Sequence, residues 1–143
     1  AREIRRTEER RIDPETGSAV PSVEEYVEAI AQVALSRPQA AMLTALAVAS
    51  DDGLPDMLIA HAAGYKSQAS ANRAFAAAGL LLANYLSVEL ATNAETSALD
   101  GTVLLGFRGT RPAGDVPGNW ILHPELREAV RSVDGRGKMY HAK

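Results

Sequence analysis

Apolar residues recur at intervals of three and four along most of the chain up to Leu86, and this spacing predicts amphipathic helices. A first helix is predicted from the capping box Ser22–Glu25 to about Leu35. A second is predicted to begin at Ser36–Gln39, which has a serine cap, a proline in the first turn and a glutamine at the third helical position. The polar turn Ser50–Gly53 should end it.

The next stretch predicts two helices separated by a tight turn. The first has Leu58, Ile59 and Ala62 as its apolar face, and Gly64 stands where a helix ends with positive φ. The second should run from about Ser67 to Leu86, with a buried face formed by Ala71, Ala74, Phe75, Ala78, Leu82 and Tyr85. This is the pattern of a helix-turn-helix whose turn is one residue longer than in the compact motif, and Gly79 predicts close packing or a bend.

Beyond Leu86 the pattern changes to alternation, which predicts strands. The predicted strands are Ser87–Thr92, Thr102–Arg108 and Asn119–His123, and a helix should follow at Pro124–Arg131. The glycine- and proline-rich stretch Gly109–Gly118 would join the last two strands into a long hairpin, in the position of the wing of a winged helix.

We therefore expect a mainly α protein with a small antiparallel β element, in the form of a winged-helix-like helix-turn-helix domain. The domain should span residues 22–133. Residues 1–21 are expected to form a polar arm with some helical tendency at Glu3–Arg11, and residues 134–143 a mobile tail.

Charge is unevenly distributed in this sequence of 143 residues, whose net charge is −3. Residues 1–60 carry six Lys/Arg against eleven Asp/Glu, whereas residues 61–143 carry nine against seven. The overall balance argues against indiscriminate nucleic-acid binding, but the basic excess falls on the half that holds the helix-turn-helix. The absence of cysteine, of a signal-peptide pattern and of an apolar run long enough to span a bilayer favours a cytoplasmic protein without membrane contact.

Polar side chains at the start of the second motif helix are candidates for contacts with double-stranded DNA. Gln68 and Asn72 could pair with adenine edges and Arg73 with guanine. Phosphate contacts are expected from Lys66, Ser67, Ser70, Arg108 and Arg111. Tyr65 could be a core residue, a phosphate donor or a surface against a base methyl group. A helical hairpin that binds nothing would show the same helical pattern.

No catalytic, cofactor or metal site is expected, because the sequence lacks the motifs that such sites use. The histidines, at positions 61, 123 and 141, are not at metal-ligand spacing, and neither a nucleophile elbow nor a phosphate-binding loop is present. Asp51 and Asp52 beside Gly53 are typical of a solvated turn. The alternative to DNA binding is a protein-interaction or dimerisation module that uses the apolar run Leu80–Leu82.

Two sequence segments also resemble a known group of domains. These are Ala63–Arg73, followed by Gly79-Leu80, and the later Trp120–Ala129. They resemble the N-terminal DNA-recognition domain that precedes HNH nuclease modules in bacterial restriction proteins, including modification-dependent ones. The segment Phe75–Gly79 departs from that group's aromatic-Gly-x-Leu-Gly pattern. The resemblance implies DNA recognition through Tyr65, Lys66, Ser67, Asn72 and Arg73, with the nuclease module on a C-terminal part or on a partner protein. A homodimer is a separate expectation, which follows from the apolar run Leu80–Leu82.

Overall fold

The computed structural model describes residues 10–14, 17, 19–90, 100–109 and 118–135, the side chains as far as residue 133. Most of these residues are helical, and two small antiparallel sheets of two strands each accompany the helices. The helices are α1 Val23–Gln32, α2 Arg37–Ala49, α3 Asp56–Ala63, α4 Gln68–Leu86, α5 Thr102–Leu105 and α6 Pro124–Gly135. The strands are β1 Arg11–Ile12, β2 Ala19–Val20, β3 Gly106–Arg108 and β4 Trp120–Leu122.

Two capping boxes begin the first two helices, as the sequence predicts. The Ser22 hydroxyl accepts a hydrogen bond from the Glu25 backbone amide, and the Glu25 carboxylate accepts one from Ser22. Ser36 and Gln39 make the same reciprocal pair at α2. Each box satisfies amides that the first helical turn would otherwise leave without a partner.

One apolar core joins the helices. Helix α1 packs against α4 and α6, α2 packs against α3, α6 and β4, and α4 packs against α3 and α5. The largest apolar side chains wholly enclosed by these contacts are Tyr26, Ile30, Met42, Leu43, Leu46, Leu82, Leu104, Leu105, Leu122 and Leu126. Helices α3 and α4 are therefore held against the rest of the domain by this common core.

The predicted strand Thr102–Arg108 is wrong in its first half. Residues Thr102–Leu105 form α5, and the strand is confined to Gly106–Arg108. The Asp100 carboxylate accepts hydrogen bonds from the backbone amide and the hydroxyl of Thr102, which favours a helical turn over an extended start. The predicted strand Ser87–Thr92 is also wrong over Ser87–Leu90, where the chain forms a turn and an irregular segment; its other two residues lie outside the described ones.

The faces of two helices differ from those predicted. On α3 the buried residues are Ile59 and Ala60, whereas Leu58 is 48 % exposed and Ala62 is also exposed. On α4 the predicted inner face is confirmed apart from Tyr85, which is exposed and donates to Glu28.

Both ends of the described region contain regular secondary structure where the sequence predicts a polar arm and a mobile tail. Strand β1 pairs with β2, and Val20 is buried in the core, although both strands lie in the predicted polar arm. Arg11 is in β1, and the rest of the predicted helical stretch lies outside the described residues, apart from Arg10. Helix α6 is longer than predicted and takes in residues 134 and 135; residues 136–143 lie outside the described part of the chain.

Candidate nucleic-acid interface

The turn between α3 and α4 is a left-handed helix end followed by a new cap. Gly64 has φ of 82°, its amide donates to the carbonyl of His61, and the amide of Tyr65 donates to that of Ala60. These two bonds satisfy carbonyls that the last turn of α3 would leave open, and the positive φ explains the glycine. The two helices with a glycine turn between them that the sequence predicts are thus present.

A serine cluster caps the start of α4. The Ser67 hydroxyl accepts from the backbone amide of Ser70 at 3.1 Å, and the two hydroxyl oxygens lie 3.1 Å apart. Arg73 donates to the Ser70 hydroxyl at 3.3 Å. The cap fixes where α4 begins, and so fixes which of its side chains face outward.

The outer stripe of α4, which we define as Gln68, Ala69, Asn72 and Arg73, is exposed. Lys66 and Ser67 are also exposed just before it, while Ser70 is half-buried. Tyr65 is half-buried and packs against the core, which agrees with the first of its three predicted roles and leaves part of the ring accessible.

This part of the chain carries positive charge without carboxylates of its own. Between Asp56 and Glu89 the charged residues are Lys66 and Arg73, and no Asp or Glu occurs. This stretch therefore combines two cations with amide side chains that can donate and accept at once.

The segment before α3 is hydrogen-bonded to the far strand of the β3–β4 hairpin. The amide of Leu54 donates to the carbonyl of Trp120 at 3.0 Å, and the amide of Trp120 donates back at 2.9 Å. Gly53 precedes this bridge with φ of 68°, and a Cβ there would lie 2.3 Å from the Trp120 oxygen. Leu54 thus adds a one-residue third strand next to β4, which is paired to β3 on its other edge.

Arg108 connects the hairpin to α3 and, through Trp120, to α4. Its guanidinium donates to both carboxylate oxygens of Asp56, at 2.9 and 3.0 Å, and to the carbonyl of Gly118. The same group lies 4.5 Å from the centre of the Trp120 ring, which in turn packs against Phe75 of α4. Arg108 therefore has an internal role, which the sequence did not indicate.

Arg111 and most of the predicted wing loop, residues 110–117, lie outside the described residues. The hairpin that would carry the wing is present, with β3 and β4 antiparallel and Phe107 opposite Ile121.

The sequence did not indicate the residues that position the hairpin against α3 and α4. These are Leu54, Asp56 and Trp120, the last through its ring. Asp56 does not stand out in the sequence, because acidic residues are common in the first turn of a helix and its partner Arg108 is 52 positions away. A signal existed in Gly53, since a glycine directly before an isolated apolar residue is consistent with a close backbone approach.

A second polar cluster lies away from this surface, where β1, α1 and α6 meet. Arg11 donates to the Glu125 carboxylate at 2.7 and 3.2 Å, and the Tyr26 hydroxyl donates to the carbonyl of Leu104. Burial raises the pKa of Glu125. The hydrogen bonds from Arg11 and from its own backbone amide together lower the pKa by more than burial raises it, so the pKa of Glu125 lies below its usual value. Burial holds the pKa of Tyr26 well above its usual range.

His123 is wholly buried in the same region. A ring nitrogen, Nε2, lies 2.9 Å from the carbonyl oxygen of Val103, and since a carbonyl can only accept, Nε2 carries the proton of that bond. Nδ1 is buried without a partner among the described residues. Burial lowers the pKa of His123 more than the hydrogen bond to Val103 raises it, so the ring stays neutral at neutral pH. Because the ring of His123 is enclosed and neutral, we assign it a role in stabilising the fold.

Among the described residues no group of three or more His, Asp or Glu side chains could hold a metal ion. Asp51 accepts a hydrogen bond from Arg127 at 2.7 Å, and His61 is exposed on α3. His141 lies outside the described residues.

Comparisons with protein-family models, with curated proteins and with solved structures found no match for this chain. None of the helices in the described ranges is long and apolar enough to cross a membrane.

Proposed function

We propose that this chain is a sequence-reading, double-stranded DNA-binding domain with a winged-helix arrangement, in which α4 enters the major groove. The observation that carries the proposal is the exposed outer stripe of α4. It presents an amide at Gln68, another at Asn72 and a guanidinium at Arg73, beside Lys66 and without a carboxylate in the surrounding sequence. These are the side chains that pair with the major-groove edges of adenine and guanine.

The order of helices and strands along the chain supports the winged-helix part of the proposal. A helix, a short strand, the helix-turn-helix and a hairpin follow one another, and the short strand at Leu54 pairs with the second hairpin strand. The chain between α4 and β3 is longer than such a fold requires, and it contains α5.

The roles follow from position. Gln68, Asn72 and Arg73 would reach base edges, and Lys66, Ser67 and Ser70 would hold phosphates. For Arg111, which lies outside the described residues, a phosphate contact is proposed from the sequence alone. In the unbound protein Arg73 donates to Ser70, and it would exchange this bond for one to a base. We assign Arg108 to holding the hairpin against α3 rather than to a phosphate, because both of its terminal nitrogens donate within the fold, to Asp56 and to Gly118.

The resemblance to recognition domains of bacterial restriction proteins suggests a setting for this activity. In that setting the chain would select DNA in the bacterial cytoplasm, and a nuclease module or partner protein would cut it. Catalysis is not assigned to the chain itself.

Titration of labelled duplex DNA at several salt concentrations tests the proposal. We expect the logarithm of the binding constant to fall linearly with the logarithm of salt concentration, and the Lys66→Ala variant to reduce that slope by about 1. Duplexes with and without methylated cytosine test the restriction setting, which predicts a preference for one of them. Absence of binding even at low salt would rule out the DNA function.

The alternative is a protein-interaction or dimerisation module, and one observation favours it. Leu80, Leu81 and Tyr85 on the second half of α4 are 37–41 % exposed. A cavity of about 330 Å³ lies beside Leu80, between α4 and the segment Val88–Leu90. Sedimentation velocity of the wild type and of Leu81→Glu separates the two functions, because a dimer through this face would dissociate in the variant while DNA binding through the outer stripe would persist.

A further inference from the structure

The outer stripe of α4 does not stay exposed along the helix. Helical spacing continues the stripe through the next turns, at Ala76, Gly79, Leu80 and Ala83. Of these, Gly79 and Ala83 are buried, Ala76 is half-buried and Leu80 is 37 % exposed, in contrast to the stripe residues of the first two turns, which are all exposed. Three of the four positions that continue the stripe are therefore covered at least in part.

The cover is the backbone at Gly101, at the start of α5. A Cβ on Gly79 would lie 1.8 Å from the Gly101 carbonyl oxygen, and a Cβ on Gly101 would lie 2.1 Å from the carbonyl oxygen of Ala76 and 2.8 Å from the amide of Leu80. Only a pair of glycines permits two backbones to approach so closely. The backbone of Gly101 thus covers the face of α4 at Ala76 and Gly79, directly after the part of the same face that the first two turns leave open.

We infer that each copy of this chain reads a short block of DNA, of about three to four base pairs. The outer stripe from Gln68 to Arg73 covers six residues, which at 1.5 Å each is about 9 Å of helix. Base pairs are spaced about 3.4 Å along the duplex, so this length faces about three of them, and side-chain reach adds about one. The inference rests on the proposed function, because it concerns the same face of α4.

The side chains of the stripe also favour A·T pairs within that block. Gln68 and Asn72 lie one turn apart on one face, and both suit the N6 and N7 edge of adenine. Ala69 stands between them with an exposed methyl group, which suits the C5 methyl of thymine. Arg73 at the end of the stripe suits guanine.

Selection of bound duplexes from a library, randomised over more than one turn of DNA, tests the inference. We expect one contiguous specified block of about three to four base pairs, rich in A·T, or two such blocks about one helical turn apart if two copies bind together. A single contiguous block twice that length would overturn the short-site inference while leaving DNA binding intact. Salt-sensitive binding with no specified position would overturn it as well.

Asn72→Ala and Asn84→Ala are a matched pair of variants for the same assay. Both asparagines are exposed on α4, but Asn84 lies beyond the Gly101 contact. We expect Asn72→Ala to weaken binding to the selected duplex by about 5- to 150-fold and to relax one position of the block. Asn84→Ala should leave affinity and specificity unchanged. A loss of specificity in Asn84→Ala would overturn the short site, whereas absence of any salt-dependent binding by the wild type would remove the proposed function itself.

Discussion

At the scale of single residues, the guanidinium of Arg73 is a decisive group for the proposed recognition. It is exposed at the end of the outer stripe and makes one long hydrogen bond, to Ser70. If it reads a base, Arg73→Ala should cost about 1–3 kcal/mol of binding free energy and relax specificity at one position.

Arg37→Ala is the control for Arg73→Ala, since Arg37 is also an exposed arginine within the first two turns of a helix but lies on α2. It should leave DNA affinity close to that of the wild type. Equal affinity in the two variants would remove Arg73 from the interface. Affinity and specificity can both be measured by anisotropy with the selected duplex and single-base substitutions of it.

His123 should make the stability of the fold depend on pH. Its folded-state pKa is lowered by burial, so the unfolded chain binds a proton more readily than the folded one below about pH 6.5. The stability that the neutral ring contributes is fully present above that value and is lost as the pH falls through the folded-state pKa. Glu125, with its lowered pKa, acts in the same direction but at more acidic pH.

Urea unfolding at about pH 7.5 and about pH 5.5 measures this effect. The wild type should be less stable at the lower pH, and His123→Gln should show a smaller difference between the two. His61→Gln, which removes an exposed histidine, should keep the wild-type difference. An unchanged difference in His123→Gln would show that another group is responsible.

At the scale of elements, Gly79 reverses the usual effect of a glycine within a helix. Helix propensity alone predicts that Gly79→Ala would stabilise α4 by about 1 kcal/mol. We expect destabilisation by about 1–3 kcal/mol instead, because the new Cβ would collide with the carbonyl of Gly101. Chemical denaturation decides the sign, and a stabilised variant would contradict the close contact. Ala77→Gly, at a half-buried position of the same helix, calibrates the ordinary propensity cost.

Elements with local signals could be predicted from the sequence. The boxes at Ser22 and Ser36 and the turn at Gly64 are set by residues within one helical turn of each other. The final helix and the β4 strand also follow from spacing and from Pro124.

Elements whose structure depends on distant partners could not be predicted in the same way. Val103, Leu104 and Leu105 form an apolar run without a distinguishing period, so such a run fits a strand or a buried helical turn equally well. On the short helix α3, a small rotation exposes Leu58 and buries Ala60. The candidate site divides similarly: the exposure of Gln68 and Asn72 follows from spacing, whereas the engagement of Arg108 by Asp56 does not.

At the scale of the whole molecule, the start of the described chain is bound to the far end of α4. Arg10 donates to the Glu25 carboxylate at 2.6 Å and to the carbonyl of Leu86 at 3.0 Å, and the side chains of this ion pair are 10 % and 1 % exposed. The neighbouring pair of Arg11 with Glu125 is 39 % and 23 % exposed.

These adjacent arginines should therefore differ in their contribution to stability. Arg10→Ala would remove a bidentate ion pair with the buried Glu25 carboxylate and should cost about 3–5 kcal/mol. Arg11→Ala removes a pair that water already solvates in part, and it should cost less than about 1 kcal/mol. Denaturant midpoints of the two variants measure the difference, and similar values would mean that the β1 segment is not held through Arg10.

The bridge between Leu54 and Trp120 also has a consequence for the kinetics of folding. It joins residues 66 positions apart, with the whole helix-turn-helix between them, and such a closure carries an entropic cost before it brings any gain. We expect the bridge to form late, so that Gly53→Ala speeds unfolding and leaves the folding rate almost unchanged in a chevron plot. A slower folding limb would place the bridge in the nucleus. The late closure means that the lifetime of the native state, rather than the speed of reaching it, depends on one glycine at the edge of the sheet.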